Sequence, residues 1–269
     1  MSEAQPNQPP LLRPRTPAPL PSPASSLAAR LLNIFAIPGQ VFEEVKGSRH
    51  LLSNWIVPTV LCGVALAILG IVVLSAPSVQ EKLPELREQQ IQKMNEAVAA
   101  GKATQAQADQ SLKLWDIVMR PAVMNFIAAA GGLSWGIIRL FWWSLILWWM
   151  ARALLRNPIP YAKAMEVAGL SSMIALLYTV VRLVLTVNIG ESFGTSGLTL
   201  SVSDITAPEH RTLASWALNV VNFWIMAVLG CGLARLTGAP WFRATLLIVA
   251  YWLLSDMLFI LLGAGAMAG

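Results

Sequence analysis

The side chains best placed to do chemistry are charged groups inside long apolar runs, namely Arg139, Arg182 and Asp256. A charge at the centre of a bilayer costs at least about 2.5 kcal/mol, so such groups are usually paired or functional. Counted at about 1.5 Å per residue from the basic ends of their runs, Arg139 and Asp256 lie roughly 15 to 18 Å deep, and Arg182 roughly 5 Å nearer the far side. We therefore predict an Arg139–Asp256 ion pair. Such a pair would either fix the helix register or serve a proton or ion relay.

Groups for other kinds of catalysis do not occur at bilayer depth. Hydrolysis needs a nucleophile with a base, or a metal with its ligands, yet His50 and His210 both lie in segments that flank the apolar runs. Cys62 and Cys231 have no Cys or His at zinc-ligand spacing. The sequence contains no HExxH, Walker or dinucleotide-binding motif. We therefore expect a protein that is not an enzyme and that has no metal or cofactor.

The composition requires lipid as part of the solvent. Hydrophobic residues make up 56% of the 269 residues and charged ones 12%, whereas about 25% of the residues in a soluble domain are charged. The mean hydropathy is +0.60. The sequence predicts an all-α bundle of five transmembrane helices, because each apolar run is long enough to cross a hydrocarbon core of about 30 Å. The runs are residues 55–74, 123–149, 165–187, 213–233 and 245–266.

The other segments differ from these runs in composition. Residues 1–25 are rich in proline and predict a disordered cytoplasmic tail, and residues 26–50 form an amphipathic segment before the membrane domain, residues 51–269. Residues 78–118 combine helix-forming residues with balanced charge and a central Gly101, which predicts a helical hairpin outside the membrane.

The amphipathic segment carries apolar residues at helical spacing, interrupted by Pro38. They are Leu27, Leu31, Ile34, Phe35 and Phe42. Two interpretations are equally consistent with this pattern. The segment lies on the membrane surface, or it packs under the bundle as a cap.

Lysine and arginine placement predicts the orientation. Basic residues lie in the amphipathic segment and in the loops after the second and fourth runs. These regions should therefore be cytoplasmic. With five spans, the N-terminus is then on the cytoplasmic side of the cell membrane and the C-terminus is on the opposite side. The net charge of +5 comes from these flanks, so it does not indicate nucleic-acid binding. No small-molecule substrate is identifiable, and the expected partner is the lipid bilayer.

Small residues recur on the predicted spans and allow helices to approach closely. They are Gly63, Ala67 and Gly70 in the first span, Gly131 and Gly136 in the second, and Gly230, Gly232 and Ala234 in the fourth. Such faces pack helices within the bundle and could also bind a protein partner or a second copy of the chain.

The order of these features resembles that of a known family. The stretch IFAIPGQVFEEVK of residues 34–46, followed by Trp55 and the first span, is similar to the entry of Yip1-domain membrane proteins. Residues 222–225 and 230–234, then Trp241, Phe242 and Arg243, resemble the fourth span and the fifth-span entry of the bacterial branch. The hairpin around Gly101 also resembles that branch. The likeness covers about residues 27–266.

The resemblance implies a five-span membrane protein without known catalysis, and we expect this chain to act in membrane organisation or partner scaffolding. Eukaryotic relatives act in membrane traffic and bind Rab GTPases, but this chain lacks an Asp-Leu-Tyr-Gly-Pro stretch, so Rab binding is not carried over. The alternative is a small transporter or channel subunit that uses Arg139, Arg182 and Asp256. A polar cavity joining these three residues would favour that alternative, and a closed bundle would favour the first.

Overall fold

The computed structural model describes the backbone of residues 25–189 and 213–267, and the side chains of residues 25–77, 79–188 and 221–255. Within these ranges all regular secondary structure is α-helical, which confirms the predicted all-α class. The helices are α1 (Leu27–Ala36), α2 (Pro38–Gly47), α3 (Ser53–Leu74), α4 (Pro77–Ala99), α5 (Gln105–Val118), α6 (Pro121–Ala153), α7 (Tyr161–Ile189), α8 (Leu213–Thr237) and α9 (Trp241–Met267). The predicted proline-rich tail, residues 1–25, lies outside the described residues except for Ser25.

Local sequence explains several helix boundaries. The Ser26 side chain accepts a hydrogen bond from the backbone of Ala29 and so caps α1. Proline occupies the first position of α2, α4 and α6, where its missing N–H costs nothing. Gly101 adopts φ +68° after α4, a conformation that glycine takes without the steric cost of a Cβ atom. These signals place the breaks between α1 and α2 and within the predicted hairpin.

Five long helices form the bundle. α3 packs against α6 and α7, α7 also packs against α6 and α8, and α8 packs against α9. Of the described residues, three helices are long and apolar enough to cross a membrane, namely Ser53–Leu74, Pro121–Ala153 and Tyr161–Asn188. The described parts of the last two helices, Val221–Thr237 and Trp241–Ser255, are apolar but shorter.

Glycines bring α3 and α6 into backbone contact. A Cβ atom on Gly132 would lie 2.5 Å from the backbone nitrogen of Ala67, and one on Gly136 would lie 3.3 Å from the Cα of Gly63. A Cβ atom on Gly63 would in turn lie 3.2 Å from the Cα of Leu133. The small-residue faces of α3 and α6 therefore pack against each other within the chain. Gly131, by contrast, has nothing within 4 Å of its Cβ position.

The first two helices, which we call the N-terminal platform, pack on the bundle at the ends where α3 and α7 begin and α8 ends. Ile34 of α1 and Phe42 and Val45 of α2 are fully buried in the core. A Cβ atom on Gly232 of α8 would lie 3.2 Å from the Phe42 ring. The α4–α5 hairpin continues from the opposite end of α3.

The hairpin is joined by an exposed ion pair. Arg87 of α4 donates a hydrogen bond of 2.8 Å to Asp116 of α5. This hydrogen bond from Arg87 lowers the pKa of Asp116. Both side chains are about half exposed, so the contact aligns the two helices and contributes little stability.

We predict that Gly132→Ala lowers the free energy of unfolding by about 1 to 3 kcal/mol, because the new methyl group forces α3 and α6 apart. Gly131→Ala is the matched control, since the adjacent position is open and alanine has the higher helix propensity. Reversible unfolding of the purified chain in one detergent measures both effects. Equal losses in the two variants would show that backbone contact between α3 and α6 does not limit stability.

Candidate functional site

A fully buried carboxylate lies near the start of α7. Glu166 has no exposed surface, although glutamate is almost never buried without a partner. Lys163, one helical turn earlier, places its Nζ 2.9 Å from Glu166 Oε1. This lysine also donates a hydrogen bond of 2.7 Å to the backbone oxygen of Val45 in α2. Lys163 therefore connects the buried carboxylate to the platform.

Residues before and at the start of α3 bind the same carboxylate. His50 Nδ1 lies 3.0 Å from Glu166 Oε1, and the amide of Asn54 donates a hydrogen bond to Glu166 Oε2. Asn54 is fully buried, while the His50 side chain is one-third exposed. α3 can come close to α7 here because Gly169 is opposite Trp55, where a Cβ atom would lie 2.4 Å from the Trp55 Cα.

Arg30 extends the network into the platform. Its Nη1 donates a hydrogen bond of 2.9 Å to the Asn54 Oδ1, and its Nη2 donates one of 2.8 Å to the Ser25 backbone oxygen. Its Nε lies 3.8 Å from the Glu44 carboxylate of α2. The side chains of Arg30, His50, Asn54, Lys163 and Glu166, which we call the Glu166 cluster, thus link α1, α3 and α7 through a continuous polar chain.

The contacts of the Glu166 cluster can hold helices together. Every charged member has an oppositely charged or hydrogen-bonding neighbour, as burial requires. Its five members include no serine, threonine or cysteine that could act as a nucleophile. Among the residues that the structure describes, no group of three His, Cys, Asp or Glu side chains could hold a metal ion.

The sequence pattern did not single out Glu166. Glu166 is the second residue of the predicted run 165–187. A charge at that position is typical of the polar residues that flank an apolar segment. Lys163 three residues earlier is the available signal, because residues three apart share a helix face. The contact of Glu166 with Asn54, and that of Asn54 with Arg30, depend on how distant segments pack, so no spacing in the sequence predicts them.

The structure describes the side chains of two of the three predicted intramembrane charges, Arg139 and Arg182. Arg139 is half-buried and lines a cavity of about 20 Å³ between α3, α6, α7 and α8, together with Thr59, Cys62, Ser171 and Ser172. The backbone of Asp256 belongs to α9, but its side chain lies outside the described residues, so the Arg139–Asp256 pair stays a prediction.

Arg182 occupies a separate position. It is buried in α7, with its guanidinium carbon 5.8 Å from the centre of the Tyr178 ring, a distance suited to a cation–π contact. Arg182 is not among the described residues that line the Arg139 cavity.

The predicted membrane-surface residues all belong to the platform. Ile34 and Phe42 are fully buried, while Leu27, Leu31 and Phe35 are half-buried. Phe35 makes an edge-to-face contact with Trp224 of α8, with ring centres 6.0 Å apart. This is the packing that the cap interpretation requires. A membrane-surface role stays a prediction, and other apolar residues of the segment are exposed, such as Leu32 and Ile37.

We predict that Glu166→Gln lowers the free energy of unfolding by about 3 kcal/mol, because it leaves the largely buried Lys163, whose side chain is 12% exposed, without its counter-charge. Asp116→Asn is the matched control, since it also removes a carboxylate from an ion pair but on the exposed hairpin. Detergent unfolding of both variants gives the comparison. Adding Lys163→Met to Glu166→Gln should restore part of the loss. If Glu166→Gln behaves like Asp116→Asn, the cluster does not stabilise the fold.

Comparison with known proteins agrees with this architecture. The family model of the Yip1 domain matches residues 32–264, which include α2 to α8, the second half of α1 and most of α9. No curated protein and no solved structure matches the chain. With nearly its whole length matched, and with helices apolar and long enough to cross a membrane, the chain is a transmembrane protein that belongs to the Yip1-domain family.

Proposed function

We propose that this protein is a non-enzymatic five-span membrane protein whose N-terminal platform organises the cytoplasmic membrane surface. The observation that carries the proposal is the platform itself. It is fixed to the bundle by the Glu166 cluster and by buried Ile34, Phe42 and Val45, yet it leaves apolar side chains exposed.

Helix lengths support five spans. α8 has 25 residues and α9 has 27, and at about 1.5 Å per residue each exceeds a hydrocarbon core of about 30 Å. Both helices consist mainly of apolar residues, as does α6, one of the three candidate spans. An odd number of crossings places the two termini on opposite sides of the cell membrane.

Charge placement supports a cytoplasmic platform. Basic side chains gather at the bundle end that carries the platform, namely Lys46, Arg49, Arg152, Arg156, Lys163, Arg235 and Arg243. Lysine and arginine are enriched in cytoplasmic loops, and basic residues near the cytoplasmic leaflet are attracted to its anionic lipids. The N-terminus is then inside and the C-terminus outside.

Exposed apolar side chains on the platform and directly before α3 suit contact with lipid. Leu32 is 69% exposed, Leu52 is 57% exposed and Ile37 is 40% exposed. Burying apolar surface is favourable by about 25 cal/mol per Å², so immersion of these side chains in the interface stabilises the platform on the bilayer. Because the same helices are fixed to the bundle, the lipid contact and the spans move as one unit.

The transporter alternative has less support. The Arg139 cavity is about 20 Å³ in volume and, of the described residues, it includes neither Arg182 nor a carboxylate. A solute path through the bundle would require a longer series of polar groups. The polar contacts described above lie instead at the platform end, where they fasten helices.

We predict that a photoreactive amino acid at Leu32 of the full chain forms lipid adducts in native membranes, at several times the yield of the same probe at Gln40. Both positions are exposed on the platform, but Gln40 is polar, so the same probe is compared at an apolar and a polar exposed position. Mass spectrometry of the purified adducts measures the yields. Equal yields at the two positions would contradict lipid contact, and a discrete protein adduct at Leu32 would favour partner scaffolding instead.

A further inference from the structure

The Arg139 cavity contains hydroxyl groups that have no partner within the described part of the protein. Thr59 of α3 and Ser171 of α7 are 5% and 2% exposed, and both Oγ atoms lack a hydrogen-bond partner among the described residues. Both residues line the cavity. Buried hydroxyl groups are normally hydrogen-bonded, so these two indicate an occupant between them.

The same cavity has a positive charge without a visible counter-charge. Arginine remains protonated in proteins, and no described carboxylate forms an ion pair with Arg139. Arg139 is half-buried in an apolar span, where a charge is normally paired. Thr59 and Ser171 can each donate a hydrogen bond through a rotatable hydroxyl. The cavity thus offers one cation and two neutral donors, which is a donor set for an anion.

The volume of the Arg139 cavity limits the size of the molecule or ion that it can hold. A cavity needs about 10 to 15 Å³ to hold one water molecule, and the Arg139 cavity has about 20 Å³. A monatomic anion such as chloride is only slightly larger than water, whereas a carboxylic acid, a phosphate or a lipid headgroup is far larger. A water molecule would satisfy the hydroxyl groups but would leave the charge of Arg139 unbalanced.

We propose that the Arg139 cavity binds one monatomic anion of the chloride class. The anion accepts hydrogen bonds from Thr59 and Ser171 and balances the guanidinium of Arg139. It joins α3, α6 and α7 at the level of their close glycine contacts, where a Cβ atom on Gly136 would lie 3.3 Å from the Thr59 backbone oxygen. The competing counter-charge is the Asp256 carboxylate predicted from the sequence.

The test is the unfolding midpoint of the full chain in detergent as chloride replaces gluconate at constant ionic strength. A ligand that binds the folded state raises stability until its site is saturated. We expect a saturating rise with chloride and also with bromide. Thr59→Val combined with Ser171→Ala should raise the half-saturating chloride concentration at least about tenfold, since tenfold corresponds to the loss of about one hydrogen bond.

Thr186→Val is the matched control. Thr186 is a buried threonine of α7 whose Oγ1 also lacks a partner among the described residues, but it does not line the cavity. Its variant should keep the wild-type chloride response, and Asp256→Asn should keep it too. A wild-type midpoint that does not change with chloride would overturn the proposal, as would a chloride response that appears only in Asp256→Asn or that survives unchanged in the double variant.

Discussion

The arrangement of the platform depends on one buried carboxylate. Glu166 is without exposed surface, and it is bound by Lys163 from its own helix and by His50 and Asn54 from the chain around the start of α3. Asn54 in turn accepts from Arg30 of α1. A buried ion pair gains little stability over a hydrophobic replacement, but losing one partner is costly. We infer that the carboxylate favours the observed arrangement of α1, α3 and α7, because moving these helices apart would leave its buried charge unpaired.

Close packing between helix backbones adds to the polar contacts of the Glu166 cluster. Lipid does not drive apolar helices together as water does, so helices in a membrane associate through close contact and hydrogen bonds. The chain uses Gly169 opposite Trp55 beside the Glu166 cluster, and Gly132 opposite Ala67 further along α3. Polar contacts fix one end of α3, and glycines keep its remaining length against α6. The platform is thereby attached to the end of α3 that the polar contacts fix.

The sequence predicted what depends on composition and local pattern. The all-α class follows from apolar runs, prolines and glycines that act within a few residues, and the Yip1-domain family follows from the resemblance of residues 34–46, 222–225 and 230–234 to known members. The Glu166 cluster could not be predicted in this way, because Arg30 and Glu166 are brought together only by tertiary packing. Apolar patterning also treats Ile34 and Leu31 alike, although Ile34 is fully buried against the bundle and Leu31 is only half-buried.

The central claim is that the Glu166 cluster holds the platform to the bundle, and amide hydrogen exchange of the full chain in lipid nanodiscs tests it most directly. The account predicts that amides of residues 27–47 exchange slowly in the wild-type protein, because the helices open only when they leave the bundle. In Glu166→Ala the same amides should exchange at least about tenfold faster, while those of α4 and α5 should not change. Unchanged protection of residues 27–47 in that variant would contradict the account.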